Sequence, residues 1–410
     1  MKKLLVLLVM LVAVNASAQW VQMSNGIGTD KGICCFAVSG NNIFAGTYNY
    51  PTSTGIYRST NNGDNWTAVN NGLTDFQILS IVVSGTNIFA GTPTGGVFLS
   101  TNNGDTWGSV GLAGQGVKAL AISGSNLFAG TSNYSGVYRS TNNGNNWTTV
   151  NNGISNQSIN SLTFSGTNLF AGTSTGGVFL STNNGANWVA AGLTNQDIYS
   201  FAVQGTNIFA GTIAKNVYLS TNNGTNWASV LYDYVYALAV SGQNLFAGTG
   251  TGKIFLTTNT GTSWIDKSQS LNINSPIQSI FVANNYIYAG TYSNSVWRRS
   301  LSEIIGIQNI STEIPSAYSL SQNYPNPFNP TTNIKFSIPA VSSPRVPGGD
   351  LVQLKVYDVT GREVQTLVNE RLQPGTYEAS FDGAALNTGV YFYKLVTGNF
   401  SETKKMLLIK

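Results

Sequence analysis

The phrase Phe44-Ala45-Gly46-Thr47 recurs along much of the chain. Five more copies of FAGT and one variant follow it, so that the repeats begin at Phe44, Phe89, Phe128, Phe170, Phe209, Phe246 and Tyr288. Successive copies are 45, 39, 42, 39, 37 and 42 residues apart. A period of about 40 to 45 residues with four short β-runs per copy is typical of β-propellers, whose blades cannot each bury both sheet faces alone. The repeat therefore predicts seven blades in an all-β chain.

Each unit contains the four runs that a blade needs. In the second unit, residues 79–83, 87–91, 96–100 and 107–110 are apolar or β-branched and are separated by turns rich in Gly, Asn, Ser and Thr. The unit therefore predicts a four-stranded antiparallel sheet.

A second phrase, STNNGDNW at residues 59–66, lies between the third and fourth runs and recurs at Ser100, Ser140, Ser181, Ser220 and Thr257. It resembles the Asp-box, or BNR repeat, of sialidases, sortilin-type receptors and photosystem assembly propellers, whose pattern is S-x-D-x-G-x-x-W. Asn replaces the Asp in every copy, at Asn61, Asn102, Asn142, Asn183, Asn222 and Asn259. Asn preserves the hairpin turn because it can bond its own backbone and tolerate left-handed conformations. The exchange argues against a calcium or acid role at this position.

The seventh unit has no such phrase after Trp297, but the N-terminus supplies a match. Residues 20–27 (WVQMSNGI) align with residues 66–73 (WTAVNNGL). We therefore expect a strand at residues 20–24 to complete the last blade and close the ring, which removes free sheet edges.

The extreme N-terminus has the features of a secretory signal. Lys2 and Lys3 precede an apolar run from Leu4 to Val14, and Ala16-Ser17-Ala18 forms a cleavage site. The run is too short to span a membrane, so we expect an exported protein without a transmembrane segment. The formal charge of +4 falls to +2 when both lysines are removed, which argues against nucleic acid as a partner.

Two cysteines and the absence of histidine limit the chemistry. Cys34 and Cys35 are adjacent on a predicted inner strand, where neighbouring side chains point to opposite faces, so an ordinary disulfide is not expected. Cys35 occupies a column of small packing residues, whereas a reactive vicinal pair is the alternative. Without histidine, zinc sites and His-based triads are excluded. We expect no metal and no cofactor.

The last 90 or so residues differ in composition and contain ordered motif blocks. These are YPNPFNP at 324–330, VYDVTGR at 356–362, GVYFYKL at 389–395 and KKMLLIK at 404–410. They resemble the type A sorting domain of the type IX secretion system of Bacteroidota and their relatives. The resemblance implies an immunoglobulin-like β-sandwich that escorts its passenger across the outer membrane. It also implies later cleavage, with the passenger released or attached to surface lipopolysaccharide.

The chain lacks the residues that sialidase catalysis requires. Such enzymes use three arginines, a Tyr nucleophile assisted by Glu, and an Asp acid. Residues 19–302 contain no glutamate, and Arg58, Arg139 and Arg298 share one repeat column, which indicates a scaffold role. A glycosidase of another type would need two converging carboxylates, for which Asp30, Asp75, Asp197 and Asp233 are the candidates.

Aromatic residues outside the repeat consensus mark the predicted ligand face. They fall in the loops that enter the inner strands and in those that join the second and third strands. Exposed tyrosines beside Asn and Asp suit sugars or peptides, and packing on blade edges is the alternative. The predicted binding residues are Tyr48, Tyr50, Phe76, Tyr134, Asp197, Tyr199, Tyr232, Asp233, Tyr236 and Tyr292.

One column of the inner strands varies from blade to blade while its neighbours stay small or apolar. Its members are Cys34, Leu79, Lys118, Asn160, Tyr199, Tyr236 and Gln278. Variation confined to one column suggests a lining adapted for contact.

The sequence thus predicts a signal peptide at 1–18, a seven-bladed propeller at 19–300, a linker at 301–318 and a sorting domain at 319–410. We expect a monomeric, secreted or surface-attached binding or structural module that reaches its site through the periplasm and the type IX machinery. Its expected ligand is a glycan or a protein, and no catalytic residue is assigned. The alternative is a secreted glycan-active hydrolase.

Overall fold

A computed structural model describes residues 19–410 except 49–52, 243, 272, 302–303, 305–307, 312, 341–349, 373, 384–385 and 399. The predicted signal peptide and Tyr50 lie outside these residues. The described residues form nine four-stranded sheets, all with antiparallel strand pairs. The chain is therefore all-β, as the repeat predicts.

Seven of these sheets lie between residues 21 and 300 and are the blades of a β-propeller. In blades 1 to 6 the strands follow in chain order from the inner to the outer edge. Blade 1 contains β2 (Ile33–Ser39), β3 (Asn42–Thr47), β4 (Ile56–Ser59) and β5 (Thr67–Ala68). Blade 2 contains β6 (Ser80–Ser84), β7 (Asn87–Gly91), β8 (Val97–Ser100) and β9 (Gly108–Ser109). Blade 3 contains β10 (Val117–Ser123), β11 (Asn126–Thr131), β12 (Val137–Ser140) and β13 (Thr148–Thr149).

The remaining blades follow the same order, apart from the last. Blade 4 contains β14 (Ile159–Ser165), β15 (Asn168–Thr173), β16 (Val178–Ser181) and β17 (Val189–Ala190). Blade 5 contains β18 (Ile198–Gln204), β19 (Asn207–Thr212), β20 (Asn216–Ser220) and β21 (Ala228–Leu231). Blade 6 contains β22 (Val235–Ser241), β23 (Asn244–Thr249), β24 (Ile254–Thr257) and β25 (Ile265–Asp266). Blade 7 contains β26 (Ile277–Ala283), β27 (Tyr286–Thr291), β28 (Val296–Ser300) and, as its outer strand, β1 (Val21–Gln22).

The ring is closed at two radii. Each inner strand packs beside the inner strand of the next blade, and β26 packs beside β2. At the outer edge, Val21 of β1 pairs with Arg298 and Gln22 pairs with Trp297. The N-terminal strand therefore lies where the match between residues 20–27 and 66–73 places it.

The FAGT phrase supplies the contacts that hold the blades together. Its aromatic residue is almost completely buried in every copy. Its glycine permits close approach, because a Cβ on Gly130 of blade 3 would lie 2.5 Å from Cγ2 of Ile159 in blade 4. Its threonine is buried and caps the following turn, as when Thr47 Oγ1 donates to the oxygen of Gly55 at 2.9 Å. The four-residue phrase thus contributes to the core of each blade, to the spacing between blades and to the turn after the second strand.

The C-terminal part forms a small immunoglobulin-like β-sandwich. In chain order its strands are β29 (Gln308–Ser311), β30 (Ser319–Leu320), β31 (Thr331–Ile338), β32 (Asp350–Tyr357), β33 (Glu363–Leu372), β34 (Gly375–Asp382), β35 (Gly389–Thr397) and β36 (Phe400–Leu408). One sheet has the order β29-β34-β31-β30 and the other has the order β33-β32-β35-β36. Residues from both sheets, including Phe336, Phe381 and Tyr393, share one buried core.

The segment between the propeller and the sandwich has structure at both ends. Leu301 and the fully buried Ile304 pack with Trp20 in the core shared by blades 6 and 7. Strand β29 pairs with β34 of the sandwich. Both features lie within the segment 301–318 that the sequence predicts to be a linker.

Candidate ligand-binding face

The propeller has two faces with different loops. We call the box face the one formed by the STNNG turns and by the turns that join the first and second strands, such as that at Asn284, whose amide contacts Asn62. We call the loop face the one formed by the loops that join the second and third strands and by those that connect successive blades. Both loop types meet there, since Gly55 donates its backbone N–H to the oxygen of Phe76.

The box face is built from repeated hydrogen bonds. In blade 1, Ser59 Oγ accepts a bond from the N–H of Gly63 at 2.8 Å, and Asn61 Oδ1 accepts one from the N–H of Asn65 at 3.0 Å. All six copies share this pattern. The next residue, Asn62 in blade 1, has a φ of 58°, which Asn tolerates better than most residues. The phrase thus shapes a turn through Asn where the resembling family has Asp.

Tryptophans fasten each blade to the one before it. Seven indole nitrogens donate to main-chain oxygens in the outer strand of the preceding blade or in the residues directly after that strand. The pairs are Trp20 to Lys267, Trp66 to Met23, Trp107 to Val69, Trp147 to Val110, Trp188 to Val150, Trp227 to Ala191 and Trp264 to Val230. Because the series passes through Met23 and Trp20, it continues across the junction of the two chain ends. The tryptophan column is thus explained by structure.

The arginine column also joins neighbouring blades. Arg58 donates to Asp105 and to the oxygen of Asn103 in the box of the next blade. Arg139 contacts the oxygen of Asn184, and Arg298 contacts Asp64 and Asn62 in the same way. These three side chains lie on the box face, so the geometry gives them a scaffold role.

Among the described residues of the propeller, the exposed aromatic side chains lie on the loop face. Among the described residues of the blades, those exposed are Tyr48, Phe76, Tyr134, Tyr232, Tyr234 and Tyr292. Five of these six are predicted binding residues, and Tyr234 is the addition. We call this set the aromatic rim. An aromatic side chain left in water costs free energy, so its confinement to one face is informative.

The variable column points inward because of β-bulges. Six inner strands shift register at their second residue, which places Cys34, Lys118, Asn160, Tyr199, Tyr236 and Gln278 in bulges. A bulge redirects a side chain and leaves it outside the regular pairing. The bulge, rather than simple alternation, therefore gives this column its direction.

A hydrogen-bonded chain crosses three consecutive blades at this level. Lys118 Nζ donates to Asn160 Oδ1 at 2.6 Å, and Asn160 Nδ2 donates to Asp197 Oδ1 at 2.6 Å. Asn160 is buried, so both ends of its amide are satisfied inside the protein. The amide holds a cation and a carboxylate at a fixed separation.

Two tyrosines complete the cluster. The Lys118 ammonium lies 4.7 Å from the centre of the Tyr199 ring, although the two residues are two blades apart. The ring of Tyr236 contacts that of Tyr199 edge-on, with centroids 5.3 Å apart. Contacts over this many blades are possible only where the inner strands converge on the central axis. We call Lys118, Asn160, Asp197, Tyr199 and Tyr236 the channel cluster.

The channel cluster is partly removed from water, and its pKa values reflect this. Burial lowers the pKa of Lys118, against an opposite effect of Asp197. Burial raises the pKa of Asp197, against the effects of Lys118 and Asn160. Burial also raises the pKa of Tyr199, with further increases from Asp197, Tyr236 and Tyr48. Tyr48 of blade 1 is thus an electrostatic neighbour of Tyr199 in blade 5.

A second group lies on the rim at blades 5 and 6. Lys215 Nζ is 5.0 Å from the ring centre of Tyr234 and 5.8 Å from that of Tyr232. The predicted site residue Asp233 lies between the two tyrosines and accepts the N–H of Tyr234. The remaining rim residues, Tyr48, Phe76, Tyr134 and Tyr292, come from other loops around the ring.

The other carboxylates and the cysteines are engaged in local contacts. Asp75 accepts bonds from Thr94, Gly95 and Gln77, and Asp30 pairs with Lys31. Cys34 and Cys35 are free thiols, and Cys34 donates to the oxygen of Ile78 at 2.7 Å. Among the described residues, no three His, Cys, Asp or Glu side chains could together hold a metal ion.

Lys118, Asn160, Tyr234 and Lys215 are not among the predicted binding residues. Sequence reasoning placed Lys118 and Asn160 in the variable column, which suggests a contact lining, and Tyr234 among the loop aromatics outside the repeat consensus, but it did not single out Lys215. Lys215 shows no distinctive spacing, because its partners come from a different loop.

Comparisons with known proteins agree with this architecture. Residues 15–168 match the family model described as the DUF6242 beta propeller domain, and residues 322–410 match the secretion system C-terminal sorting domain. No curated protein is similar enough to count as a match. The chain combines a β-propeller domain with a type IX C-terminal sorting domain, which directs export to the cell surface or secretion.

Several solved structures share the fold. YCF48 from Cyanidioschyzon merolae is 17% identical with a TM-score of 0.53, over 69% of this chain and 98% of that chain. A structure described as YCF48 bound to D1 peptide is 14% identical with a TM-score of 0.56, over 69% and 97%. PorZ of Porphyromonas gingivalis, described as an essential surface component of the type IX secretion system, is 15% identical with a TM-score of 0.51. That match covers 92% of this chain and 59% of PorZ. At these identities the similarity shows the fold alone.

Within the part of the chain that the structure describes, no helix has the length and apolar character needed to span a membrane.

Proposed function

We propose that the propeller is a non-catalytic binding module that acts as a monomer at the cell surface or outside the cell. Six of its seven blades carry Asn variants of the Asp-box, and the type IX machinery recognises its sorting domain. The ligand is a glycan or a protein segment held on the loop face. The observation that carries this proposal is the confinement of the exposed aromatic side chains of the blades to that face.

The two faces differ in what their side chains contact, and this difference supports the proposal. On the box face, arginine and tryptophan side chains bond to neighbouring blades and stabilise the ring. On the loop face, Tyr134 and Tyr232 are 64% and 74% exposed. Tyrosines placed in this way provide contact area at low conformational cost and are enriched in binding sites. The D1 peptide of the YCF48 structure shows that a propeller of this fold can hold a peptide.

A hydrolase is the competing interpretation. Asp197 has the raised pKa that suits a general acid, but its carboxylate is bonded to Asn160 and lies beside Lys118. A glycosidase needs a second carboxylate at a defined distance from the first. Asp30, Asp75 and Asp233 are each tied to local partners. The binding interpretation therefore explains the site with fewer assumptions.

The test compares two matched triple variants of the mature chain. One replaces rim residues (Tyr134→Ser, Tyr232→Ser, Tyr292→Ser), and the other replaces exposed apolar residues of outer strands (Val21→Ser, Val189→Ser, Ile265→Ser). Both remove three exposed apolar groups. On glycan and peptide arrays, we expect only the rim variant to lose binding, with product analysis on every hit to detect hydrolysis. Equal binding by the two variants, or cleavage of the bound polymer, would contradict the proposal.

A further inference from the structure

We propose that the channel cluster is a subsite for one uncharged sugar residue that bears a vicinal diol. This inference rests on the proposed binding function and specifies its ligand. The juxtaposition that carries it is a fixed donor, Lys118, and a fixed acceptor, Asp197, beside the rings of Tyr199 and Tyr236.

The cluster has hydrogen-bonding capacity left over. An ammonium has three donors, and among the described residues Lys118 uses one of them, on Asn160. Asp197 accepts through Oδ1, and within the same residues its Oδ2 has no protein donor. A sugar hydroxyl is both donor and acceptor, so two adjacent hydroxyls can bond to a lysine and a carboxylate at once. The Asn160 amide keeps these two groups in register for such a pair.

The charges in the cluster favour a neutral ligand. Lys118 and Asp197 offset each other, so an anion would meet Asp197 and a cation would meet Lys118. Arginine is the side chain best suited to carboxylates, sulfates and phosphates, because its planar fork bonds them in a bidentate way. In the propeller, Arg58, Arg139 and Arg298 are bonded on the box face, and Arg299 donates to the oxygen of Lys267. A neutral saccharide therefore fits better than an acidic one.

The tyrosines provide an apolar surface for the sugar ring. Tyr236 packs closely over Gly250, where an added Cβ would lie 2.8 Å from the ring edge. Tyr199 is flanked by Lys118 and by the edge of Tyr236. Both rings are therefore held in place before a ligand arrives. A pre-positioned ring loses little conformational freedom on binding.

The members of the variable column in blades 1, 2 and 7 lack these properties. Blades 1, 2 and 7 contribute Cys34, Leu79 and Gln278 at the corresponding positions, and the Cys34 thiol donates to the main-chain oxygen of Ile78. The subsite is thus confined to blades 3 to 6. It lies next to Tyr234 of the aromatic rim, since a Cβ on Gly250 would lie 2.8 Å from the Tyr236 ring and 3.4 Å from Tyr234 Cβ.

The probes are an array of neutral oligosaccharides of hexoses, pentoses and deoxyhexoses, the same array with sulfated and uronic members, and a peptide array. The test variants of the mature chain are Asp197→Asn and Lys118→Met. Their matched controls are Asp30→Asn and Lys253→Met, which remove charges elsewhere on the loop face. Melting temperature is recorded for all four, and Tyr236→Phe is added because it keeps the ring and removes the hydroxyl.

We expect the wild type to bind neutral glycans. The two test variants should bind at least about fivefold more weakly, as for a contact at the centre of an interface, and the controls should bind within about twofold of the wild type. Loss of binding on periodate oxidation of the bound glycan, which destroys vicinal diols, is the further expected result. Should one test variant fail to fold, the other test variant and the periodate arm decide. Tyr236→Phe keeps the ring surface and should bind within about twofold of the wild type.

Three outcomes would overturn the subsite. They are no binding to any neutral glycan, unchanged binding by Asp197→Asn and Lys118→Met, or resistance of the binding to periodate. If peptides or acidic glycans bind and the rim variant abolishes that binding, the subsite is wrong and the proposed loop-face function stands. If nothing on any array binds, both proposals fail.

Discussion

The indole nitrogen of Trp66 donates a hydrogen bond of 2.9 Å to the main-chain oxygen of Met23, a residue 43 positions earlier in the chain. This bond joins blade 1 to the N-terminal strand, which itself belongs to blade 7. The first and last parts of the propeller sequence are thereby held together at the outer edge. At the outer edge, closure of the ring depends on these residues, while at the inner edge β26 packs beside β2.

We predict that Trp20→Ala destabilises the propeller by about 3–5 kcal/mol, the usual cost of truncating a buried Trp. Trp20 is buried in the core of blades 6 and 7, and its indole bonds to the oxygen of Lys267. Chemical denaturation measures the loss. Trp297→Ala is the control, since Trp297 is half-buried and bonds within its own blade, to Asn294. An equal cost for the two would contradict the closure role of Trp20.

Deleting residues 19–24 should have a second effect. The deletion exposes the edge of β28 and removes the acceptor of Trp66. Open sheet edges pair with other chains, so we expect dimers or larger species as well as a lower melting temperature. Size-exclusion chromatography with light scattering checks this. A monomeric deletion variant with unchanged melting temperature would show that β1 does not close the ring.

The glycine of the FAGT phrase should not tolerate a methyl group. In Gly130→Ala the new Cβ would lie 2.5 Å from Cγ2 of Ile159, so the blades must move apart. We expect a loss of about 1–3 kcal/mol, as for other overpacked cores. Gly108→Ala is the matched control, because Gly108 also lies in a strand and its Cβ would meet no atom within 4 Å. Equal melting temperatures for both variants would refute the spacing role.

The Asn of the box should act through its oxygen. Asn61 Oδ1 accepts bonds from Ser59 Oγ and from the N–H of Asn65. Asn61→Ala leaves these donors unpaired and should cost about 1–2 kcal/mol. Asn61→Asp keeps the acceptor and should cost much less. Thermal unfolding of both variants distinguishes this reading from one in which the Asn side chain only fills space, for which the two changes would be similar.

Asp75 should make the stability of the propeller depend on acid pH. Burial alone would raise its pKa, but bonds from Thr94, Gln77 and Gly95 bring it below the usual value of 3.8. Since the unfolded chain then takes up the proton more readily than the folded one, the carboxylate stabilises the fold above about pH 4. This contribution is lost as the pH falls through the pKa of the folded state. It should stay below about 1 kcal/mol, because solvent screens this half-buried group.

The measurement for Asp75 is the melting temperature of the wild type and of Asp75→Asn between pH 6 and pH 2. We expect the wild type to be more stable at pH 6 and the difference to shrink as the pH falls below about 4. A difference that stays constant over this range would assign the effect to packing and not to charge.

Removal of residues 395–410 should block export without unfolding the propeller. The truncation deletes β36 and most of the pairing partners of β35, so the sandwich cannot form. We expect the propeller to accumulate in the periplasm of its own host, measured by cell fractionation and immunoblotting. Normal amounts of truncated protein at the surface or in the medium would show that the tail is dispensable.

The architecture could be predicted from the sequence because each residue of the repeat has the same structural role in every blade. Phe44 fills the core, Gly46 permits close approach of the next blade and Thr47 caps a turn. Since every blade needs these contacts, the phrase recurs at a regular period. The pairing of the N-terminal strand with β28 follows the same logic, since the phrase missing from blade 7 is present at residues 20–27.

The channel cluster was harder to predict because it has no repeated pattern. The bulges that turn Lys118 and Tyr199 inward depend on cross-strand pairing and leave no mark in local sequence. The contact between these two residues joins blades 3 and 5, and only the closed ring brings them together. Variation of one column indicated where to look, but not which of its members would meet.

The most direct test of the central claim is a serine scan of exposed residues on both faces, with melting temperature and binding recorded for each variant. The probe is whichever polymer gives the strongest signal on the glycan and peptide arrays. We predict that variants which lose binding at unchanged melting temperature cluster at the aromatic rim and the channel cluster, whereas box-face variants lose stability. Binding losses that cluster at the Asn61 and Asn102 boxes, together with unchanged binding by the aromatic-rim variants, would contradict a ligand site on the loop face.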